Sequence, residues 1–183
     1  MPPPLVILDR DGVINQDSDE YIKSPEEFVP IPGSLEAIGR LHRTGVKVAI
    51  ATNQAGVDRG ILSAEALDAI HAKLLALVKE HGGAIDHLAV CTSGPWRHDP
   101  RRKPGPAMLH EIAGALGHPL EGVPFVGDTA SDIEAARAAG ARPVLVRTGK
   151  GMRTIAARKE LNGVWIFDDL SAAVNAMLAG RVY

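Results

Sequence analysis

The sequence predicts an α/β protein: a doubly wound, Rossmann-like, mainly parallel sheet with helices on both faces and no separate cap domain. Three observations carry this. Short apolar segments recur along the chain, without the polar alternation of a half-solvated sheet, as befits strands buried on both faces. Longer stretches with helical spacing lie between them. Glycines stand where those stretches should stop. Alternation of this kind builds an open parallel sheet whose ligands sit beyond the carboxyl ends of the strands. The 183 residues are expected to form one domain, 1–183.

The elements follow in order. Leu5 to Leu8 is the first strand, and a helix from about Ser34 to His42 stops before Gly45. Val46 to Thr52 is the second strand. It leads to a long helix from Ser63 to His81, with Ser63 as its amino-terminal cap, Glu65 as an early acid and Gly82 as its stop. His87 to Cys91 is followed by a helix from Pro106 to Leu116, ended by Gly117. Val123 to Val126 leads to a helix from Ala130 to Ala139, ended by Gly140, and then to a strand from Pro143 to Val146. A strand from Val164 to Phe167 and a helix from Leu170 to Leu178 complete the pattern.

Composition narrows the function classes. With 45% hydrophobic and 23% charged residues the chain reads as an ordinary globular domain with a full-sized core. A net charge of -2 gives no overall attraction to nucleic acid or an anionic membrane, so any affinity for phosphate must be local. Leu5 to Leu8 is too short for a signal-peptide core, and no apolar run approaches the length of a membrane span, so a cytoplasmic protein is expected. The single cysteine, Cys91, excludes an internal disulfide and a four-cysteine zinc site. No apolar stripe is left over for a partner, which points to a monomer.

The chemistry collects at the strand tips. "LVILDRDGVIN" ends a buried run on Asp9 and Asp11, with Gly12 to turn the chain away. Two carboxylates so placed can divide a reaction, one attacking an electrophile while the other gives and takes a proton. An isolated D-x-D-G is also an ordinary solvated turn, so the other tips decide. The second strand ends in Thr52, Asn53 and Gln54, whose hydroxyl and amides can hold phosphoryl oxygens, although T-N-Q is a common turn sequence. "RRKPGPAM" places Arg102 and Lys103 on a loop before a helix, where a lysine can offset charge built up between a carboxylate and a phosphate. "FVGDTASDIEAA" sets Asp128 at a strand tip and Asp132 one turn onward. Asp128 and Asp9 can share a hard cation such as magnesium, while Asp128 or Thr129 can also serve as a helix cap.

In sequence order, Asp9-Arg-Asp11-Gly, Thr52-Asn-Gln, Arg102-Lys103-Pro and Gly127-Asp128 with Asp132 resemble the four motifs of the haloacid dehalogenase-like phosphatases. "DRDGVIN", "TNQAGVDRG", "RKPGPAM" and "VLVRTGKG" resemble more closely the heptose bisphosphate phosphatases within that superfamily, with the histidinol-phosphate phosphatases as near relatives. The resemblance implies a magnesium-dependent phosphomonoesterase that removes the C7 phosphate of a heptose 1,7-bisphosphate on the route to the lipopolysaccharide core. It implies Asp9 as the nucleophile and Asp11 as the acid and base. Magnesium would lie on the Asp9 and Asp128 carboxylates and the Asp11 main-chain carbonyl, with Asp132 orienting that shell from outside. Thr52, Asn53 and Lys103 would hold the phosphoryl oxygens, and Asp17, Tyr21, Gln54 and Arg102 would contact the substrate.

The sequence departs from that family at one place. Many relatives hold a structural zinc with cysteines and histidines before the lysine motif, whereas "CTSGPWRHDPRRK" offers Cys91 and His98 alone. Four sulfur or nitrogen ligands cannot come from this loop, so no structural zinc is expected. Trp96 is a candidate anchor for the loop. The basic cluster Arg97, Arg101 and Arg102 is expected to meet a second phosphate. Asp17, Asp19 and Glu20 leave open a substrate that carries an amine, as histidinol phosphate does. A polynucleotide 3'-phosphatase is disfavoured because no aromatic and basic stripe tracks a strand, so neither nucleic acid nor membrane is expected as a partner. A non-catalytic phosphate binder would have no use for Asp9, Asp11, Lys103 and Asp128 together.

Overall fold

β1 (Leu5–Leu8) is buried at all four positions and lies inside a six-stranded sheet in the computed structural model, which describes residues 1–157 and 160–181. Each fully buried aliphatic side chain of this kind contributes about 1.5–3 kcal/mol relative to exposure. The other strands are β2 (Lys47–Asn53), β3 (His87–Cys91), β4 (Pro124–Gly127), β5 (Arg142–Val146) and β6 (Trp165–Phe167). They stand in the order β3-β2-β1-β4-β5-β6, and every pair is parallel. The chain winds outward from β1 through β2 to β3, then returns to the far side of β1 for β4. At that reversal the loops after β1 and β4 part in opposite directions and leave a crevice at the strand tips.

The helices are α1 (Ser34–Arg43), α2 (Ala64–Glu80), α3 (Ala107–Leu116), α4 (Ala130–Ala139), α5 (Gly151–Ala156) and α6 (Leu170–Leu178). Alternation along β1 assigns them to faces. Val6 and Leu8 pack with Leu35 and Ile38 of α1, Ile70 and Leu74 of α2, and Val174 of α6. Leu5 and Ile7 pack with Met108, Leu109 and Ile112 of α3 and with Ala135 and Ala136 of α4. Local chemistry ends the helices as expected. The Ser63 hydroxyl accepts from the Ala66 amide at the start of α2, and Gly117 and Gly140 close α3 and α4 in the left-handed conformation, with φ of 63° and 76°.

Two features depart from the sequence reading. α5 is an element that the sequence reading did not name, because six residues opened by a glycine are too few to display an apolar period. Single 3-10 turns occur at Pro25–Glu27 and Pro95–Arg97, each begun by a proline. Between β1 and α1 the described residues carry only the first of these turns and the isolated bridges Asp11 to Asn15 and Asn15 to Pro30, so no cap domain is inserted there. No helix among the described residues is long and apolar enough to cross a membrane.

Candidate active site

The strand tips open into a cleft of about 360 Å³. It is lined by Asp9, Asp11, Asn53, Gln54, Arg102, Lys103, Asp128 and Asp132, with Asp17 and Tyr21 from the segment after β1. Thr52 lies beneath this surface, 1% exposed. Residues drawn from four separate stretches of sequence thus meet because β1, β2 and β4 are adjacent and their carboxyl ends point the same way.

Lys103 is the electrostatic centre of the cluster. Its buried ammonium lies 3.1 Å from Asp9 Oδ1 and 2.7 Å from Asp132 Oδ1, and donates to the Ala51 carbonyl at 2.9 Å. Burial alone would lower its pKa, but Asp132 and Asp9 outweigh that effect and hold it above the ordinary lysine value. The Asn53 side chain fixes the Lys103 main chain from both sides, donating to its carbonyl at 3.0 Å and accepting from its amide at 3.1 Å. Burial, reinforced by Asp132, raises the pKa of Asp9 well above the carboxylate range despite the pull of Lys103.

Asp11 is held very differently. Its Oδ1 accepts from Arg10 Nε at 3.0 Å, Arg10 Nη2 at 2.7 Å and Asn15 Nδ2 at 2.9 Å, while Oδ2 accepts from Gln54 Nε2 at 3.0 Å. Burial works to raise its pKa, but the Arg10 charge and these hydrogen bonds prevail and lower it. Arg10 is itself fully buried, and its Nη1 lies 3.0 Å from His71 Nε2 on α2. That nitrogen must be the acceptor, because a guanidinium has only donors. Burial and then Arg10 bring the His71 pKa down to about 4, which keeps the ring neutral. Gln54 also donates to Thr52 Oγ1 at 2.8 Å, so the threonine accepts there and keeps its own proton to give.

Asp9, Asp128 and Asp132 bring carboxylate oxygens within 4.8 Å of one another. Three acids so close repel, and Asp128 is pushed up to about 7 by burial and by Asp132. Asp128 Oδ2 accepts from the Lys150 amide at 2.8 Å, whereas its Oδ1 is buried without a hydrogen-bond partner. An orphaned carboxylate oxygen among hard oxygen donors fits a divalent cation such as magnesium. Asp132 is less free to ligate: Oδ1 meets Lys103, and Oδ2 accepts from the amides of Asp128 and Thr129 and from the Thr129 hydroxyl, at 2.9–3.1 Å. Thr129 therefore does cap α4, as one reading of the sequence allowed. Two glycines shape this corner. A Cβ on Gly12 would stand 2.1 Å from Asp128 Oδ2, and one on Gly149 would stand 2.4 Å from both that oxygen and the Gly12 Cα.

The loop from 91 to 103 corrects one expectation. Of the three arginines expected to meet a second phosphate, only Arg102 reaches the cleft. Arg97 is paired with Asp58 at 2.7 Å, and Arg101 with Glu111 at 2.7 Å and with the Val90 carbonyl at 2.7 Å. Those acceptors are distant in sequence, so the basic run gave no sign of them. The loop is organised on Asp99, which accepts from the Ser93 hydroxyl at 2.7 Å, the Arg101 amide at 2.8 Å and, weakly, the Cys91 thiol at 3.6 Å. Trp96 folds over Gly94 with the Arg59 guanidinium 4.8 Å from its ring.

Tyr21 lines the cleft while its ring packs against Gly56. Arg10, His71, Asp99 and Lys150 are additions to the sequence reading. Lys150 lies in the cleft wall, its ammonium 2.8 Å from Asp17 Oδ2. Its position just past the tip of β5, at the same sheet end as Asp9 and Asp128, was the available signal.

The family model described as HAD-hyrolase-like matches residues 100–173. The D-glycero-beta-D-manno-heptose-1,7-bisphosphate 7-phosphatase of Pseudomonas aeruginosa is 51% identical over 175 residues, covering 95% of this chain and 97% of the relative. Its namesake in Pseudomonas putida is 52% identical over 174 residues, covering 95% and 99%. The crystal structure of D,D-heptose 1,7-bisphosphate phosphatase from Bordetella bronchiseptica, complexed with magnesium and phosphate, superposes with a TM-score of 0.94 at 43% identity, covering 97% of this chain and 99% of that one. The chain thus belongs to the haloacid dehalogenase-like hydrolases and, within these phosphoric monoester hydrolases, to the family of the heptose 1,7-bisphosphate 7-phosphatases.

Proposed function

We propose that the protein removes the C7 phosphate of D-glycero-β-D-manno-heptose 1,7-bisphosphate, in the synthesis of lipopolysaccharide core precursors, with 1–183 acting as a single domain. The observation that carries this reading is the meeting of Asp9, Asp11, Lys103 and Asp128 in one cleft at the tips of a parallel sheet. Lys103 and the Arg10 amide both address Asp9 Oδ1, which leaves lone pairs on Oδ2 for attack on phosphorus. As that bond forms, the bond from phosphorus to the C7 oxygen breaks, and Asp11 gives the departing oxygen its proton. Water then attacks the aspartyl-phosphate, Asp11 takes the proton back, and inorganic phosphate leaves with Asp9 restored.

The surroundings of Asp11 favour its carboxylate and so suit the second half of this cycle. The negative charge of an entering phosphate opposes that bias and favours the proton needed for the first half. Lys103, the Thr52 hydroxyl and the Asn53 main chain are the donors for the phosphoryl oxygens, with the Asn53 side chain steadying Lys103. Gln54, proposed as a substrate contact, lines the cleft and also braces Asp11 against Thr52. Asp9, Asp128 and the Asp11 carbonyl would hold magnesium, with Asp132 outside that set; the ion supplies positive charge to the phosphoryl oxygens and balances the acids. Asp99 takes over the organisation of the loop that zinc performs in relatives, and no structural zinc is expected. The reading further includes a cytoplasmic monomer that acts on a small phosphorylated sugar.

The C7 phosphate is a primary ester on a flexible arm and reaches the floor of the cleft, while the anomeric phosphate is fixed to the ring and stays near the rim. Arg102, in the cleft lining, is the proposed partner of that phosphate, with Asp17 and Tyr21 proposed for the sugar. Phosphorus NMR of the products should show heptose 1-phosphate and inorganic phosphate. Release of the anomeric phosphate first would contradict the assignment.

Magnesium should also stabilise the protein in a pH-dependent manner. The folded pKa values of Asp9 and Asp128 are raised, so their contribution to stability is full below the ordinary carboxylate range and is lost as pH climbs through about 7 for Asp128. In EDTA these groups should therefore favour melting as pH rises from 5.5 to 8. Magnesium at one fixed concentration, about 100 times its dissociation constant at pH 8, contributes about 2.7 kcal/mol there, or roughly 5–10 °C in Tm, and less at pH 5.5, where protons compete for the acids. Thermal melts should show the larger magnesium shift at pH 8. Equal shifts at both pH values would remove the acid cluster as the site.

A further inference from the structure

We infer that Lys150 is a selectivity residue of this site, admitting phosphate esters that carry further anionic and hydroxyl groups and turning away those that carry an amine. The inference rests on the proposed function and names the substrate class that its cleft accepts.

Six carboxylates face the cleft: Asp9, Asp11, Asp17, Asp19, Asp128 and Asp132. Five of them face a cationic side chain, and the sixth, Asp128, is a proposed magnesium ligand. Asp9 and Asp132 share Lys103, and Asp11 has Arg10. Asp128 accepts the Lys150 amide through Oδ2, and its Oδ1, without a hydrogen-bond partner, is the oxygen that would take the metal. Asp19 receives both terminal nitrogens of Arg153, each at 2.9 Å. Asp17 receives Lys150 at 2.8 Å. Glu20, Glu26 and Glu27, the remaining acids between β1 and α1, do not line the cleft. No carboxylate is left to receive a substrate ammonium. The Lys150 side chain is only 37% exposed, stands in the cleft wall and uses one of its three donors on Asp17. It repels a cation and has donors left for a sugar oxygen or a remote phosphate. By neutralising Asp17 it also turns that carboxylate into an acceptor for hydroxyls in place of a counterion for amines.

The test uses Lys150→Met and Lys150→Arg in the magnesium-loaded enzyme, with kcat/KM measured on heptose 1,7-bisphosphate and histidinol phosphate. In Lys150→Met, heptose bisphosphate should lose about tenfold, chiefly through KM, as one charge-assisted contact disappears. Histidinol phosphate should gain several-fold from the bared Asp17, so the ratio of the two efficiencies should fall by roughly thirtyfold or more. Lys150→Arg should keep the ratio within about threefold of wild type, because it retains the charge. Equal losses on both substrates would overturn the inference. So would a rise in the magnesium needed for half-maximal rate, since the Lys150 main-chain contact to Asp128 survives the substitution and only a side chain acting through the metal would move it. Should the wild-type protein fail to hydrolyse heptose bisphosphate, the proposed function falls, and the ratio of fructose 1,6-bisphosphate to histidinol phosphate decides the role of Lys150 on the same criteria.

Discussion

Asp9→Asn is expected to reduce turnover by roughly 10⁴-fold or more while leaving the protein folded. The amide keeps the shape of the side chain and an oxygen for the Arg10 amide and Lys103, but it lacks the lone-pair basicity needed to displace an alkoxide from phosphorus. It also removes one negative charge from a corner where Asp9, Asp128 and Asp132 crowd together. Its metal-free melting temperature should therefore not fall below that of wild type. Acid quench of the working wild-type enzyme should trap phosphate on the protein, and the variant should trap none. Turnover within tenfold of wild type would remove Asp9 as the nucleophile.

Lys103→Met should fail in two ways at once. The rate should fall by about 10³-fold, because the proposed donor to the phosphoryl oxygens is gone. Stability should fall as well, by about 3–5 kcal/mol at pH 8 without metal, because removing one partner of a buried ion cluster leaves the others uncompensated. Lys103 is 3% exposed and lies between two buried carboxylates, so water cannot take its place. Acidification should relieve the defect, since Asp9 has a raised folded pKa and is neutral once protonated. Urea denaturation at pH 8 and pH 5.5 would measure the difference. A variant as stable as wild type at pH 8 would show that the cluster does not depend on its lysine. Lys103→Arg should not restore activity, because a planar fork cannot occupy a pocket that takes a compact ammonium beside the Phe125 ring, 5.3 Å away.

What could be read from the sequence, and what could not, divides along the range of the forces involved. α4 and α6 begin and end where glycines, caps and spacing put them, and β3 runs over the expected residues His87 to Cys91. Asp9, Asp11 and Asp128 were legible because each follows an apolar strand, and strand tips in a parallel sheet converge; Lys103 was legible only from its motif, on the loop before α3. Pairing between distant charges was not legible. Arg97 and Arg101 looked free in a basic run, yet Asp58 and Glu111 claim them from other elements. Arg10 sits inside the D-x-D-G motif itself, but its partner His71 lies on α2, and nothing local announces that a charged residue there will be fully buried. Lys150 follows the same logic, since only the folded chain brings the segment after β5 to the loop that carries Asp17.

The glycine pair behind Asp128 separates two kinds of constraint on how this chain can drift. Gly12 and Gly149 approach so closely that a side chain on Gly149 would strike the Gly12 backbone itself, whatever residue stood at position 128. A descendant that lost its nucleophile and all its chemistry would still be forbidden to fill that space, whereas nothing in the packing would oblige it to keep Asp9. Among variants, a screen for activity alone would sort the two glycines with the catalytic acids. Only the amount of folded protein that accumulates would tell the residues that build the cleft from those that use it.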